Sequence, residues 1–171
     1  MEGIIPLLSS CWYCIFEALV LLGIANGTPV IINKILGNRW SCPVDNGFIL
    51  NDGQRLLGNA KTWRGLCSAV FFTTVVAILI GIDPLTGVLF GALSMTGDLL
   101  ASFIKRRLMR AESSRARGLD TVPESLLPIW LLKEPLALSH FDIVLIVGLF
   151  FLLEEFVSPV LYKLHIRNQP Y

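Results

Sequence analysis

The stretch Met95–Arg107 reads MTGDLLASFIKRR and combines an apolar run with one carboxylate and three consecutive cations. If Pro84–Ile104 forms one helix, Asp98 precedes Lys105 by about 10 Å along the helix axis. At about 100° per residue, Asp98, Ser102 and Lys105 fall on nearly the same face. An acid within an apolar helix is costly unless it is paired, so we expect it to be functional. The stretch therefore predicts a site for a metal and a phosphate.

The composition of the chain is typical of a membrane protein. Of its 171 residues, 54% are hydrophobic and 16% are charged, and the mean hydropathy is +0.66. Soluble domains carry about a quarter charged residues. Leu66–Ile82 contains no charged side chain and Pro84–Ile104 contains only Asp98. Each approaches the roughly 20 residues that cross the hydrocarbon core. Because no basic segment precedes the first apolar run, we expect no cleaved signal peptide.

We predict an all-α integral membrane protein with about five transmembrane helices in a single membrane domain, residues 1–171. Two polar segments, 33–65 and 105–121, are expected to form cytoplasmic loops, and Pro29 is expected to kink the first helix. The fourth span is the weakest because prolines and charged residues interrupt it, but we expect it to cross as a distorted helix. The predicted spans are Cys11–Ile32, Leu66–Ile82, Pro84–Ile104, Val122–Leu138 and Phe141–Leu161.

The placement of cations supports this layout. Thirteen of the fourteen Lys and Arg residues fall in the two polar segments and the C-terminal tail, and Lys133 is the exception. With the N-terminus outside, five spans place both polar segments and the tail in the cytoplasm, as the positive-inside rule requires. We therefore expect an integral protein of the cell (inner) membrane whose active site faces the cytoplasm.

The first polar segment carries acids, cations and glycines at close spacing. It reads Asp45-x-Gly47-x4-Asp52-Gly53-x-Arg55-x2-Gly58-x2-Lys61-Thr62-x-Arg64-Gly65. Glycines let a backbone approach a ligand closely and the cations suit phosphate, but GxxxxGK[ST] is absent, so a P-loop is excluded. The alternative is a solvated loop whose cations only set the membrane topology.

Two carboxylates bracket the second polar segment. Asp98 and Asp120 enclose six cations, and acids that hold Mg²⁺ among cations are what phosphoryl or nucleotidyl transfer needs. Oxygen ligands without His or thiolate favour Mg²⁺ over zinc. The alternative is that Asp98 only pairs with a cation of a neighbouring helix. Cys11 and Cys14 have CxxC spacing but no second pair, so we expect apolar packing there rather than zinc.

These motifs resemble the CDP-archaeol synthase family, small relatives of the phosphatidate cytidylyltransferases. The matching stretches are Ala25-Asn26-Gly27-Thr28-Pro29, the 45–65 string, Gly97-Asp98…Ser102-Phe103-x-Lys105-Arg106-Arg107, and Asp120. The resemblance implies five transmembrane helices, a requirement for Mg²⁺, and a reaction of CTP with a lipid phosphate. The lipid would be phosphatidate-like or an archaeal ether lipid, and the products would be a CDP-lipid and pyrophosphate. No nucleic-acid partner is expected, and a homodimer is left open.

The resemblance also assigns roles to individual residues. Asp98 and Asp120 would bind the metal and, with Lys105, carry catalysis. Asp120 departs from the family's Asp-Gln pattern because Thr121 follows it, which leaves the lipid specificity open and is consistent with a bacterial branch. Glu124 would be a substitute or additional ligand. The residues that would bind or shape the site for the substrates are Asp52, Arg55, Lys61, Thr62, Arg64, Ser102, Arg106 and Arg107.

Two other functions stay open at the level of sequence. A CDP-alcohol phosphatidyltransferase would resemble DGxxAR followed by two spaced aspartates, but Asp52-Gly53-Gln54-Arg55 lacks the Ala-Arg continuation. A small transporter or membrane scaffold would use Asp98 as an ion-coupling acid. That function would not require the acids and both basic segments to lie on one side of the membrane.

Overall fold

The computed structural model describes residues 11–110 and 118–163, with side chains described to residue 156. Within these ranges the chain forms helices and no β-strand, and only two isolated bridges, Pro43–Thr62 and Ile49–Arg55, pair backbone within the first loop. The predicted all-α class is therefore confirmed. The helices are α1 (Trp12–Leu36), α2 (Trp63–Leu79), α3 (Pro84–Arg107), α4 (Thr121–Leu131) and α5 (His140–Lys163).

Helix α3 is central, because it packs closely against α2 and α4 and also contacts α1. The apolar core lies between these helices and α5. Such packing places the two ends of α3 in fixed positions relative to both its neighbours. The largest fully buried apolar side chains of the core are Leu21, Leu22, Phe90, Ile129 and Ile146.

The α2–α3 hairpin depends on two glycines one turn apart. A Cβ on Gly91 would lie 2.9 Å from the Val70 Cα, and a Cβ on Gly87 would lie 2.7 Å from the Ala77 Cβ. Small residues at this spacing let two helix backbones approach closely within a membrane. At the turn, Asp83 caps α3 by accepting a hydrogen bond from the Thr86 amide. The tight connection Gly81-Ile82-Asp83-Pro84 predicts a hairpin of the two helices from sequence, and the packing of α2 against α3 confirms it.

Helix α1 continues through Pro29 and ends four residues later than expected, at Leu36. Proline removes one backbone donor from a helix. In the same turn Asn26 donates to the Leu22 carbonyl and Thr28 donates to the Ile24 carbonyl. These are local bonds from side chains to carbonyls four residues earlier in α1, as Thr and other short polar side chains make within helices.

The segment expected to form a fourth span folds differently. Helix α4 contains 11 residues, which is about 16 Å long and well short of the roughly 30 Å hydrocarbon core. After it, the chain turns through residues 132–138 and buries Leu132, Leu136 and Leu138 in the core. Pro135 disfavours the helical conformation at the residue before it, so the helix does not continue over Val122–Leu138.

The surface of the helices suits a lipid environment. In the described part of the chain, α1 and α3 are long and apolar enough to cross a membrane, and α2 is apolar but shorter. Large apolar side chains are exposed on several helices, and extensive exposed apolar surface marks contact with a partner or membrane. Examples are Phe16, Phe71, Ile78, Leu100 and Val144.

Candidate active site

Two acid–lysine pairs lie where α3, α4 and the first loop meet. The Lys61 ammonium donates to both carboxylate oxygens of Asp98, at 2.6 and 2.5 Å. The Lys105 Nζ lies 2.6 Å from the Asp120 Oδ1. We call these the site pairs. Four residues predicted from separate parts of the sequence thus meet in one place, and both loops contribute to it.

Glu124, on α4, is a third carboxylate beside the site pairs. It is 6% exposed, and among the described residues its buried Oε1 has no hydrogen-bond partner. It lies within electrostatic reach of Asp98, Asp120 and Lys61. A buried carboxylate oxygen without a donor is unfavourable unless a cation or a donor completes it. The structure therefore places Glu124, suggested by the sequence as an additional ligand, beside the site pairs.

Gly97 controls how closely α4 approaches α3. A Cβ at this position would collide with the Pro123 carbonyl and lie 2.6 Å from the Glu124 Cα. Because Asp98 follows Gly97 directly, this contact sets the separation between Asp98 and Glu124. The Gly-Asp pair is visible in the sequence, but its steric partner on α4 is not.

The acidic side chains of the site offer the kind of ligand atom that a hard divalent cation prefers. Asp98, Asp120 and Glu124 offer carboxylate oxygens only, as Mg²⁺ prefers. Among the residues that the structure describes, however, no three His, Cys, Asp or Glu side chains form a complete ligand group. In the site pairs, lysine ammonium groups engage the aspartate oxygens instead.

Arg106 and Ser102 line the same face of α3 as Asp98. Arg106 is 6% exposed and Ser102 is 5% exposed. The Arg106 Nε is buried without a hydrogen-bond partner in the described ranges. A buried guanidinium requires an anionic or polar partner, and its planar fork suits phosphate. The substrate contacts expected of Arg106 and Ser102 stay a prediction.

Asp45 organises the first loop. Its carboxylate accepts hydrogen bonds from the amides of Gly47, Leu57 and Gly58, and its Oδ1 lies 2.5 Å from the Arg55 Nη2. Burial acts to raise the pKa of Asp45, but these hydrogen bonds outweigh it and hold the pKa well below its usual range. The Arg55 guanidinium, predicted to shape the substrate site, is thus engaged within the loop.

A second ion pair joins the first loop to the end of α3. The Arg107 Nη1 lies 2.7 Å from the Asp52 Oδ2, and its Nη2 donates to the Arg55 carbonyl at 2.8 Å. The same guanidinium stacks over the Phe103 ring, 5.3 Å from the ring centroid. Thr62 caps α2 by accepting from the Gly65 amide. Asp52, Arg107 and Thr62 therefore hold the loop beside the site pairs.

Arg64 points to a different part of the molecule. Its guanidinium donates to the Asn33 Oδ1 at 2.7 Å, to the Gly37 carbonyl at 2.9 Å, and to the Arg39 carbonyl. These acceptors lie at and just beyond the C-terminal end of α1. The structure thus brings Lys61, Ser102, Lys105 and Arg106 to the site and gives Arg64 backbone partners elsewhere.

Glu154 is a site residue to which the sequence assigned no role. It lies on α5, accepts a hydrogen bond from the Thr121 hydroxyl at 2.8 Å, and lies within electrostatic reach of Glu124. An acid within an apolar helix indicates a functional role, and this was the signal for Glu154 in the sequence. Only the packing of α4 against α5 brings it to the other acids.

Together these features define an α-helical membrane protein with a cluster of acids and cations at the junction of two loops. A family model described as CarS-like, CDP-archaeol synthase, matches residues 11–171. The CDP-archaeol synthase of Sulfurisphaera tokodaii is 32% identical over 94% of this chain and 98% of the relative. That of Saccharolobus solfataricus is 32% identical over 86% of this chain and 89% of the relative. The chain belongs to the CDP-archaeol synthase family, which confirms the resemblance inferred from its motifs.

A solved structure supports the fold independently. It is described as an intramembrane enzyme for archaeal membrane lipids biosynthesis, and it matches with a TM-score of 0.66 at 24% identity. The match covers 81% of this chain and 90% of the other. The helical arrangement around α3 is therefore shared with a known intramembrane protein.

Proposed function

We propose that this chain is a CTP-dependent cytidylyltransferase that converts a membrane lipid phosphate, of ether or ester type, to a CDP-lipid and pyrophosphate. One observation carries the proposal: in a chain of this family, Asp98 with its partner Lys61, and Asp120 with its partner Lys105, lie around the buried carboxylate of Glu124. This arrangement supplies both acids and cations to one polyanionic reaction centre.

The chemistry requires two mutually repelling anions to approach. An oxygen of the lipid phosphate attacks the α-phosphorus of CTP, and the bond from that phosphorus to the bridging oxygen breaks as pyrophosphate leaves. The nucleophile is already anionic, so a strong general base is not required. Positioning and charge stabilisation then carry the rate enhancement. Lys61, Lys105 and Arg106 would offset the repulsion and hold phosphate oxygens.

Mg²⁺ is the proposed cofactor, and the carboxylates of Asp98, Asp120 and Glu124 would hold it after they move closer together, because in the described structure they do not form a complete ligand group. When bound, such an ion neutralises phosphate oxygens and stabilises the leaving pyrophosphate. Lys61 and Lys105 would exchange their carboxylate partners for phosphate oxygens as the substrate enters. The lysines would thus neutralise the acids before substrate binds and the phosphates once it is bound.

We also propose that the site faces the cytoplasm. Helix α1 has 25 residues, about 37 Å, so its ends lie near opposite membrane faces. Cys11 and Cys14 form a disulfide at one end, rather than the simple apolar packing expected from the sequence, and the free Cys42 follows the other end. Disulfides persist in oxidising compartments, which supports an outward N-terminus and a cytoplasmic first loop.

The test is a transfer assay with purified protein, labelled CTP, Mg²⁺ and a panel of diacyl and diether lipid phosphates. We expect a labelled CDP-lipid and stoichiometric pyrophosphate, and no product when the metal is chelated. Consumption of a CDP-lipid with release of CMP would instead identify a CDP-alcohol phosphatidyltransferase. Absence of both reactions with a well-folded protein would favour the transporter or scaffold alternative.

A further inference from the structure

Arg64 joins two helices that the chain separates by a long loop. It lies in the first turn of α2, and its three acceptors, from Asn33, Gly37 and Arg39, lie at the end of α1 and in the turn that follows. A cation at a helix C-terminus is favoured by the helix dipole and by carbonyls without helical partners. Two of the acceptors are backbone carbonyls, so they are present whatever side chains the loop carries.

The turn that Arg64 contacts has an unfavourable backbone conformation. Gly37 and Trp40 both have left-handed φ values, of 53° and 55°. Glycine adopts this conformation freely, but a bulky residue such as tryptophan does so only when surrounding contacts impose it. The bond from Arg64 to the Arg39 carbonyl is adjacent to this residue and supplies such a contact.

The same turn determines where Lys61 lies. The Val44 amide donates to the Lys61 carbonyl at 2.8 Å, and the Trp63 amide donates to the Cys42 carbonyl at 3.1 Å. The chain leaving α1 is therefore paired with the chain entering α2. Any shift of the turn at residues 37–42 is transmitted through this pairing to Lys61 and its contact with Asp98.

We propose that Arg64 is a positioning residue, which fixes the exit of α1 against the entry of α2 so that Lys61 reaches Asp98, and that it does not bind phosphate. The proposal replaces the substrate-binding role expected of Arg64 from the sequence. It rests on the proposed function for its kinetic consequence, but its structural part stands without it.

Hydrogen exchange of the wild-type protein and an Arg64→Ala variant tests the structural part. We expect exchange of the Val44 and Trp63 amides to rise about tenfold or more, while α3 and α5 keep their protection. Arg39→Ala is the matched control: it removes an exposed cation from the same turn but keeps the carbonyl that accepts from Arg64, so exchange stays near wild type. Unchanged exchange in Arg64→Ala would overturn the proposal, whether or not the protein transfers CTP.

Transfer kinetics distinguish positioning from phosphate binding. One lysine ammonium cannot reproduce the forked contacts of arginine, so we expect Arg64→Lys to behave like Arg64→Ala. Both variants should lower kcat by about tenfold or more and change the KM for CTP by similar factors, because Lys61 is displaced in both. A large rise in the KM for CTP in Arg64→Ala that Arg64→Lys restores would instead identify a phosphate ligand and refute positioning.

Asn33→Ala provides a milder variant should Arg64→Ala fail to fold. It removes one acceptor of the three and leaves the arginine in place, so we expect a smaller rise in exchange at Val44 and Trp63. In the double variant with Arg64→Lys, the effects on exchange should be less than additive, because both changes remove the same contact. Full additivity would show that the two residues act separately and would contradict the proposal.

Discussion

Asp98 binds one ammonium with both carboxylate oxygens. Pairing with a cation of a neighbouring helix was the alternative to a functional role, and the structure instead pairs Asp98 with Lys61 of the first loop. The two interpretations are compatible, because an acid within an apolar helix needs a cation before substrate binds as well as afterwards. Lys61 can therefore stabilise Asp98 before it serves a substrate.

We expect Asp98→Asn to abolish Mg²⁺-dependent incorporation of labelled CTP into lipid, with a loss of at least about a hundredfold. The amide keeps the size of the side chain and can still accept from Lys61, but it removes the negative charge that a metal needs. Membrane insertion should be unchanged. Asp83→Asn is the matched control at the other end of α3, where Asn is also a good helix cap. Retained incorporation in Asp98→Asn would contradict the assigned role.

Asp45 gives a prediction for the pH dependence of stability. Its folded-state pKa lies below the unfolded value, which is about 4 for an aspartate. The stabilisation is therefore complete above about pH 4 and is lost as the pH falls below that value. We expect Asp45→Asn to lower the Tm at pH 7, with a difference from wild type that holds to about pH 5 and shrinks below about pH 4.

The measurement for Asp45 is thermal unfolding of both proteins in the same detergent across this pH range. The wild-type protein at each pH serves as the reference, so effects of pH on other groups cancel. A difference in Tm that stays constant down to pH 3 would show that the Asp45 carboxylate does not have the lowered pKa.

At the scale of elements, the contact between α3 and α4 decides the geometry of the acids. Gly97 has no room for a Cβ beside Pro123 and Glu124. We expect Gly97→Ala to force the helices apart, lower the Tm and reduce transfer by about tenfold or more. Gly23→Ala on α1 is the matched control, since a Cβ there meets nothing within 4 Å.

In Gly23→Ala the change should be neutral or slightly stabilising, because alanine is the better helix former. Both variants are measured for Tm and for the rate of CDP-lipid formation. Equal behaviour of the two variants would show that the close approach of α4 to Gly97 is not required for the site.

At the scale of the whole molecule, the sidedness of the first loop can be tested with a native residue. Cys42 is an exposed free thiol in that loop, whereas Cys67 lies on the apolar surface of α2 and Cys11 and Cys14 form a disulfide. We expect a membrane-impermeant maleimide to label inverted vesicles and not intact cells. Cys42→Ser should abolish the labelling. Labelling of Cys42 from outside would place the site on the wrong face for cytoplasmic CTP.

The sequence by itself determined the helical class, the α2–α3 hairpin, the start of α3 and the family, because these depend on local patterns. Long runs without charged residues form membrane helices whatever their neighbours are. The spacing of Asp98, Ser102 and Lys105 follows from the helix period alone. Each of these features follows from one stretch of sequence, so it can be predicted without the tertiary structure.

Only the tertiary structure decided which cations reach the acids. Lys61 and Asp98 are 37 residues apart, and no periodicity links them. The bonds of Arg64 to the end of α1, the hydrogen bonds around Asp45 and the contact of Gly97 with Pro123 each depend on segments distant in sequence. Two cationic side chains close in sequence, Lys61 and Arg64, thus have different partners. Packing, and not sequence spacing, sets the distance between each cation and the groups it contacts.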